Sequence, residues 1–219
     1  MKSIHKLLGL FAVLILCGTT QSAFSQDLKD FFNNSQAPMV YLGVDFSRAK
    51  LINDPGANTT DIKNRLYHSI NQVIVDEMER NYNVGKAFDK VNVGTDISGV
   101  EEQNEKVNAS EIASSDPADF NRLKEADISA MVKKLGTIKG SGIGVVFIME
   151  GMKKEEKKSY GSVWVALIDV KTKKLLMAER MEEEAAGFGF RNFWASIIKR
   201  AIQDIDKKKY KEWKKTYGK

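Results

Sequence analysis

The sequence predicts an α/β domain: a single mixed sheet with helices packed on it, its elements in the order β-α-β-α-β-β-β-α. Two observations carry this prediction. The first half of the chain alternates short apolar strand patterns with helical patterns, an order that favours parallel strands. The second half carries three strand patterns in a row, joined by short turns, and this favours antiparallel pairing of those strands.

The first predicted strand is Met39–Phe46, where valine, leucine and phenylalanine occupy alternate positions, as in a half-buried strand. Apolar residues then recur at helical spacing over residues 62–82, and Asn58 or Thr59 is placed to cap this helix. Phe88–Val93 follows as the second strand. Residues 94–119 are polar and weakly patterned, which predicts a long loop that is functional or mobile.

The second predicted helix, Ala126–Leu135, leads through a glycine-rich stretch into the three consecutive strands. Ile143–Met149 is apolar and β-branched, which is typical of a buried strand. Tyr160–Val170 alternates in polarity, so Trp164 should lie on the opposite face of the sheet from its two neighbours. Lys174–Glu183 is the last strand.

A long helix begins near Arg191 and closes the domain. Its buried stripe should comprise Phe193, Trp194, Ile197, Ile198, Ala201, Ile202 and Ile205. At about 100° per residue from the tryptophan of that stripe, Tyr210, Trp213 and Tyr217 fall at about 160°, 100° and 140°. The sequence therefore predicts that these three aromatics leave the core stripe and form a face of their own.

Residues 1–25 have the features of a cleavable secretory signal peptide. Two lysines form a basic start, Leu7–Cys17 is an almost unbroken apolar run, and the small residues Ala23 and Ser25 mark a cleavage site. The apolar run has 11 residues, whereas a membrane-spanning helix needs about 20. The mature protein is therefore predicted to be periplasmic or secreted.

Cleavage leaves a mature chain that starts at Gln26, with residues 26–37 as a loosely held leader and residues 38–219 as a single domain. The alternative is a lipoprotein anchored at Cys17, although Leu16 stands where a lipobox has a small residue. Because Cys17 is the only cysteine, the mature chain has no disulfide, thiolate metal site or cysteine nucleophile. Loss of two lysines leaves 32 basic against 29 acidic residues, so the net charge falls from +5 to +3.

No residue is predicted to be catalytic, to bind a cofactor or to hold a metal. Gly140–Gly144 precedes a strand instead of opening a helix, so its amides are not placed to bind a phosphate. His68, the only histidine of the mature chain, is predicted to lie on the surface, without partners for a triad or a metal site. The acidic run Glu182–Glu184 and the loop residues Asp116 and Asp119 have no geometry fixed by sequence, and we interpret them as solvated.

Val163–Leu176 resembles a pattern found in exported bacterial α/β domains. There a strand ends in an aspartate, here Asp169, the chain turns at a threonine, here Thr172, and the next strand opens with apolar residues. Lys173 stands where such domains usually have glycine. The resemblance is to domains of the curli-secretion channel lipoproteins, the penicillin-binding-protein activator lipoproteins and the amino-terminal domain of the Tol-Pal translocation protein. It implies a periplasmic assembly or regulatory module and assigns no functional residue.

The carboxyl-terminal segment Lys199–Lys219 is the most unusual part of the sequence, with nine basic and three acidic residues. One interpretation is a solvated helix end whose aromatics pack on the domain. The other is a docking surface for an anionic lipid, a polysaccharide or an acidic partner. That surface would consist of Lys207, Lys208, Lys209, Tyr210, Lys211, Trp213, Lys214, Lys215 and Tyr217.

These observations favour an exported, non-catalytic binding or assembly module of the bacterial cell envelope, whose partner is an envelope protein, a polymer or an anionic membrane surface. Nucleic acid fits the charge but is an unusual partner for an exported chain. The alternative hypothesis is an envelope hydrolase that uses carboxylates. An enzyme should show a pocket with converging carboxylates of perturbed pKa, whereas a docking module should show a shallow surface or an exposed apolar patch.

Overall fold

The structure of the protein is a computed structural model that describes residues 28–155 and 158–219. The predicted signal peptide and the alternative lipidation site at Cys17 lie outside the described residues. The strands are β1 (Met39–Asp45), β2 (Lys50–Ile52), β3 (Val93–Thr95), β4 (Ala113–Ser114), β5 (Ile143–Lys154), β6 (Ser159–Asp169) and β7 (Leu175–Glu184). The helices are α1 (Leu28–Asn33), α2 (Thr59–Asp61), α3 (Tyr67–Asp76), α4 (Val84–Ala87), α5 (Ser98–Glu105), α6 (Glu125–Val132), α7 (Phe190–Asp204) and α8 (Tyr210–Tyr217).

Two pairs of helices are continuous through π-helical turns. Ile62–Leu66 joins α2 to α3, and Ile205–Lys209 joins α7 to α8. None of the helices in the described part of the chain is long and apolar enough to span a membrane.

One mixed sheet forms the centre of the fold, which confirms the predicted α/β class. β1 pairs with the first half of β5 and β2 with its second half, both in parallel. β3 and β4 extend the sheet beyond β1 and β2, again in parallel. On the other side of β5, strands β6 and β7 follow in antiparallel pairing. The predicted change from parallel to antiparallel pairing therefore falls at β5.

The two faces of the sheet carry separate cores. On one face, Val163 packs in a cluster that contains Trp194 and Ile198 of α7. On the other face, Trp164 packs against a cluster that contains Ile128 of α6. The predicted alternation along β6 and the predicted packing of the long helix on one face are both confirmed.

The predicted loop over residues 94–119 is wrong, because the segment contains α5 and β4. α5 buries Asn104, whose Nδ2 donates to the carbonyl oxygen of Val44 at 3.0 Å and whose Oδ1 accepts from the amide of Phe46 at 2.7 Å. These bonds satisfy the backbone where β1 leaves the sheet. The helix was hidden in the sequence because a polar side chain occupies one of its buried positions.

The second predicted strand, Phe88–Val93, is also corrected. The strand begins only at Val93, and the residues before it form α4 and a turn in which Asp89 has a φ of 51°. The side chain of Phe88 is fully buried, so its apolar character indicates packing in the core and not strand pairing.

The predicted leader, residues 26–37, is part of the fold from α1 onward, which corrects the expectation of a loosely held segment. Its two phenylalanines are fully buried: Phe31 and Phe32. The ring of Phe32 stacks on Tyr217 of α8 with centroids 6.1 Å apart. Asn33 Nδ2 donates to the carbonyl oxygen of Gly218 at 2.6 Å. The first and last described helices therefore close on each other.

Candidate functional site

The predicted docking surface lies at the end of the α7–α8 helix, and the π-helical turn decides where its aromatics point. Hydrogen bonds in a π turn join residues five apart instead of four, so the turn holds one extra residue and sets back the following residues by about 100°. This correction moves Tyr210, Trp213 and Tyr217 to about 60°, 0° and 40° from the core stripe. The predicted separate aromatic face is therefore wrong.

The packing agrees with this change of phase. Tyr210 and Trp213 are 8% and 3% exposed, and Trp213 stacks on Phe88 with ring centroids 5.9 Å apart. The indole nitrogen of Trp213 donates to the carboxylate of Glu179. Tyr217, at 38% exposed, is the most accessible of the three aromatics. The aromatic part of the predicted docking surface is thus largely covered by the domain.

The lysines of the predicted surface differ in environment. Lys209 is partly buried, and its Nζ lies 2.6 Å from Glu179 Oε1. Lys214 is partly buried as well. The exposed lysines of the set are Lys207, Lys208, Lys211 and Lys215. Docking through these four lysines stays a prediction.

Lys90 lies beneath this end of the helix and is 5% exposed. Its Nζ is 4.5 Å from the ring centroid of Phe31 and 5.6 Å from that of Tyr210. Burial lowers the pKa of Lys90 to about 8, and the charge of Asp89 opposes this shift. The aromatic rings replace part of the lost hydration of the ammonium group. The carboxyl-terminal end of the helix is therefore a packed joint between α1, α8 and the turn after α4.

The opposite end of the same helix lines a groove between α3 and α7 with a volume of about 580 Å³, which we call the α7 groove. Three cations line it: Arg191, Lys199 and Arg200. Lys199 Nζ donates to Asn81 Oδ1 at 2.9 Å, and Arg191 Nε donates to Asn192 Oδ1 at 3.0 Å. Within the described residues, none of the three cations belongs to an ion pair. No salt bridge of the described residues therefore neutralises these three charges.

Phe188 stands at the rim of the α7 groove and is 94% exposed. It is flanked by Gly187, which lines the groove, and by Gly189, with φ angles of 121° and 75° that glycine adopts without strain. A single exposed apolar residue is ordinary on a protein surface. This one is distinguished by its position, because the loop that carries it leads directly into the cationic wall of α7.

A cleft of about 270 Å³ adjoins the groove along α3 and shares Glu77 and Arg191 with it, and Asp76 lines the cleft as well. His68 also lines this cleft, with its side chain 62% exposed, as predicted, and its Nδ1 is 2.7 Å from Glu101 Oε2. The other oxygen of Glu101 accepts from Asn71 Nδ2 at 2.7 Å. The α7 wall of the groove and cleft is therefore basic, and the α3 wall is acidic.

The acidic run Glu182–Glu184 is only partly solvated, which corrects its interpretation. Glu183 is partly buried, and burial raises its pKa to about 7. The nearby charge of Asp204 adds to the shift and that of Arg200 opposes it. Neither Glu183 nor Asp204 lines the α7 groove.

A second basic cleft, of about 340 Å³, lies beside the segment between β1 and β2. Its two arginines already have partners: Arg48 Nη1 is 2.7 Å from Asp127 Oδ1, and Arg122 Nε is 3.3 Å from Asp119 Oδ1. An incoming anion would compete with these carboxylates. The α7 groove is therefore the better candidate for an anionic ligand.

The sequence did not identify Phe188 and Arg191 as site residues, because the glycine–phenylalanine repeat before α7 is typical of a flexible connection. It did include Lys199 and Arg200 in the basic carboxyl-terminal segment. The available signal was a phenylalanine between two glycines, directly before a helix whose first turn has no acidic residue.

No known protein family matches the sequence, and no curated protein matches it. Among solved structures, a hypothetical protein of Chlamydia trachomatis is similar at 10% identity and a TM-score of 0.38, over 81% of this chain and 98% of that chain. A lipoprotein of Neisseria meningitidis is similar at 13% identity and a TM-score of 0.32, over 78% of this chain and 98% of that chain. Scores of this size imply no function, and the resemblance to envelope-assembly families stays a prediction.

Proposed function

We propose that the protein is an exported, non-catalytic binding module of the bacterial cell envelope that holds an anionic partner in the α7 groove. The observation that carries the proposal is the exposed Phe188 beside Arg191, Lys199 and Arg200, cations outside any ion pair of the described residues. Such cations attract and orient a partner, and an aromatic side chain supplies a desolvated anchor. Export rests on the sequence of residues 1–25.

The hydrolase alternative is favoured by one observation, the pKa of about 7 that burial gives Glu183 near Asp204. A carboxyl group with such a pKa is suited to acid–base catalysis. However, the two carboxylates do not line the groove that carries the unpaired cations. Binding and catalysis would then occur at different places, so we prefer the binding module.

The proposal is tested by replacing Phe188 with the photo-crosslinking amino acid p-benzoylphenylalanine in the full-length protein, produced in its native host. We expect a discrete covalent adduct on illumination. The control places the same amino acid at Val91, which is 66% exposed and lies in the turn next to the carboxyl-terminal end of the helix. No such adduct is expected there.

A second comparison ties the adduct to the groove. The changes Arg191→Ser and Arg200→Ser, introduced together in the crosslinking variant, should remove the adduct. Absence of any adduct at position 188, or the same adduct at positions 188 and 91, would refute the proposal.

A further inference from the structure

The charge and shape of the α7 groove restrict what its partner can be. Arg191, Lys199 and Arg200 line the groove with one carboxylate, that of Glu77, so positive charge is in excess. A surface for anionic lipid needs cations spread over a convex or flat face. A concave groove with an excess of positive charge suits an elongated anionic ligand instead.

The start of α7 reinforces the basic wall. Gly189 occupies the N-cap position and offers no side-chain acceptor, and the first turn contains no acidic residue. The positive end of the helix dipole is therefore not neutralised by the helix itself. Arg191 lies in this first turn, so the dipole and the guanidinium group add in the same region.

The wall of the groove also contains groups that are able to form hydrogen bonds with a peptide backbone. Asn192 and Gln203 line it with side-chain amides, which both donate and accept hydrogen bonds. A volume of about 580 Å³ lies within the usual range for ligand sites, roughly 300–1,000 Å³. Phe188 at the rim offers an apolar contact to a side chain that leaves the groove.

We infer that the α7 groove binds an acidic peptide segment of another protein, with the peptide carboxylates on Arg191, Lys199 and Arg200 and an apolar peptide side chain on Phe188. The inference rests on the proposed function and names the chemistry of its partner. It commits to a peptide because the groove joins charge complementarity, amide groups and an apolar rim in one concave site.

The test is fluorescence anisotropy of the mature protein with a labelled peptide of about eight residues. In an extended conformation, such a peptide is roughly 26 Å long. The peptide alternates glutamate with alanine and has one central phenylalanine, and its counterpart has lysine in place of glutamate. We expect the acidic peptide to bind and the basic one not to bind. Added salt should weaken binding, since exposed charges are screened.

Matched variants locate the binding site. Arg191→Ser with Arg200→Ser should weaken acidic-peptide binding at least about tenfold, or about 1.4 kcal/mol. The control, Lys207→Ser with Lys211→Ser, removes the same charge from the exposed lysines at the other end of the helix and should leave binding within about twofold. Phe188→Ser should weaken binding without changing the melting temperature.

Three results would overturn the inference. The first is no binding of the acidic peptide at low salt. The second is an equal loss of binding in the groove variant and the lysine control. The third is binding to vesicles of phosphatidylglycerol and phosphatidylcholine that depends on Phe188, without binding of the acidic peptide. If the crosslink at position 188 persists in any of these cases, the binding module stands and only the peptide class of its partner is wrong.

Discussion

The two ends of the α7–α8 helix both combine aromatic and cationic residues, yet these residues differ in burial and in ion pairing. At the carboxyl-terminal end, Trp213 is 3% exposed and Lys209 pairs with Glu179. At the amino-terminal end, Phe188 is 94% exposed and Arg191 has no ion pair among the described residues. Composition alone favours the carboxyl-terminal end as a docking surface. A side chain that is already packed or ion-paired within the domain is not free to contact another molecule. The environment of each group, and not its type, therefore decides which end of the helix can bind a partner.

The largest expected effect concerns the π-helical turn. Deleting Lys208 should convert the turn to regular helix and rotate α8 by about 100°. Trp213 and Tyr210 would then leave the core, and we expect a loss of at least about 3–5 kcal/mol in unfolding free energy, the cost of truncating a large buried aromatic residue. Urea unfolding monitored by circular dichroism measures this loss of unfolding free energy.

The substitution Lys208→Ala is the control, because it removes the same side chain and keeps the residue count of the turn. It should change stability by less than about 0.5 kcal/mol. Equal stability of the deletion variant and the wild type would show that the turn does not set the position of the aromatics.

An intermediate effect on the unfolding free energy is expected from replacing Lys90. Its pKa is lowered by burial from 10.5 to about 8 in the folded protein. Between pH 8 and 10.5 the unfolded chain therefore binds more protons at this residue than the folded protein, and the unfolding free energy should rise with pH. The variant Lys90→Met should lack this rise between pH 8 and 9.5. Parallel stability curves of the two proteins would contradict the assignment.

The smallest effect on stability is expected at the amino-terminal end. Phe188→Ser should change the unfolding free energy by less than about 0.5 kcal/mol, because a side chain that is 94% exposed contributes little packing. Thermal unfolding provides the measurement, with Trp213→Ala as the matched substitution at the other end. A large loss of stability in Phe188→Ser would mean that the loop packs and is not a free docking tip.

The sheet was predictable because its strands carry strong patterns. β5 is apolar along most of its length, and β6 alternates between two separate cores. The long helix was predictable up to Asp204 for the same reason, since its apolar stripe keeps one period. These features depend on many residues at once, so a single exception does not hide them.

The missed features depend on single residues or on distant contacts. One additional residue in a π turn changes the phase of Trp213, and no periodicity marks where such a turn occurs. Asn104 looks like a loop residue until its bonds to β1 are known. Phe188 became a candidate site residue only when the structure placed its loop at the rim of the α7 groove. In each case the deciding partner is remote in sequence.

The closure of α1 on α8 affects when the chain can finish folding. Asn33 and Gly218 are hydrogen-bonded across a separation of 185 residues, and contacts of such long range form late because the intervening chain must first be ordered. The aromatic joint around Phe32 is therefore incomplete until the last helix has been made. For a chain that is exported as we propose, the native fold is therefore complete only after α8 has crossed the membrane and packed on α1.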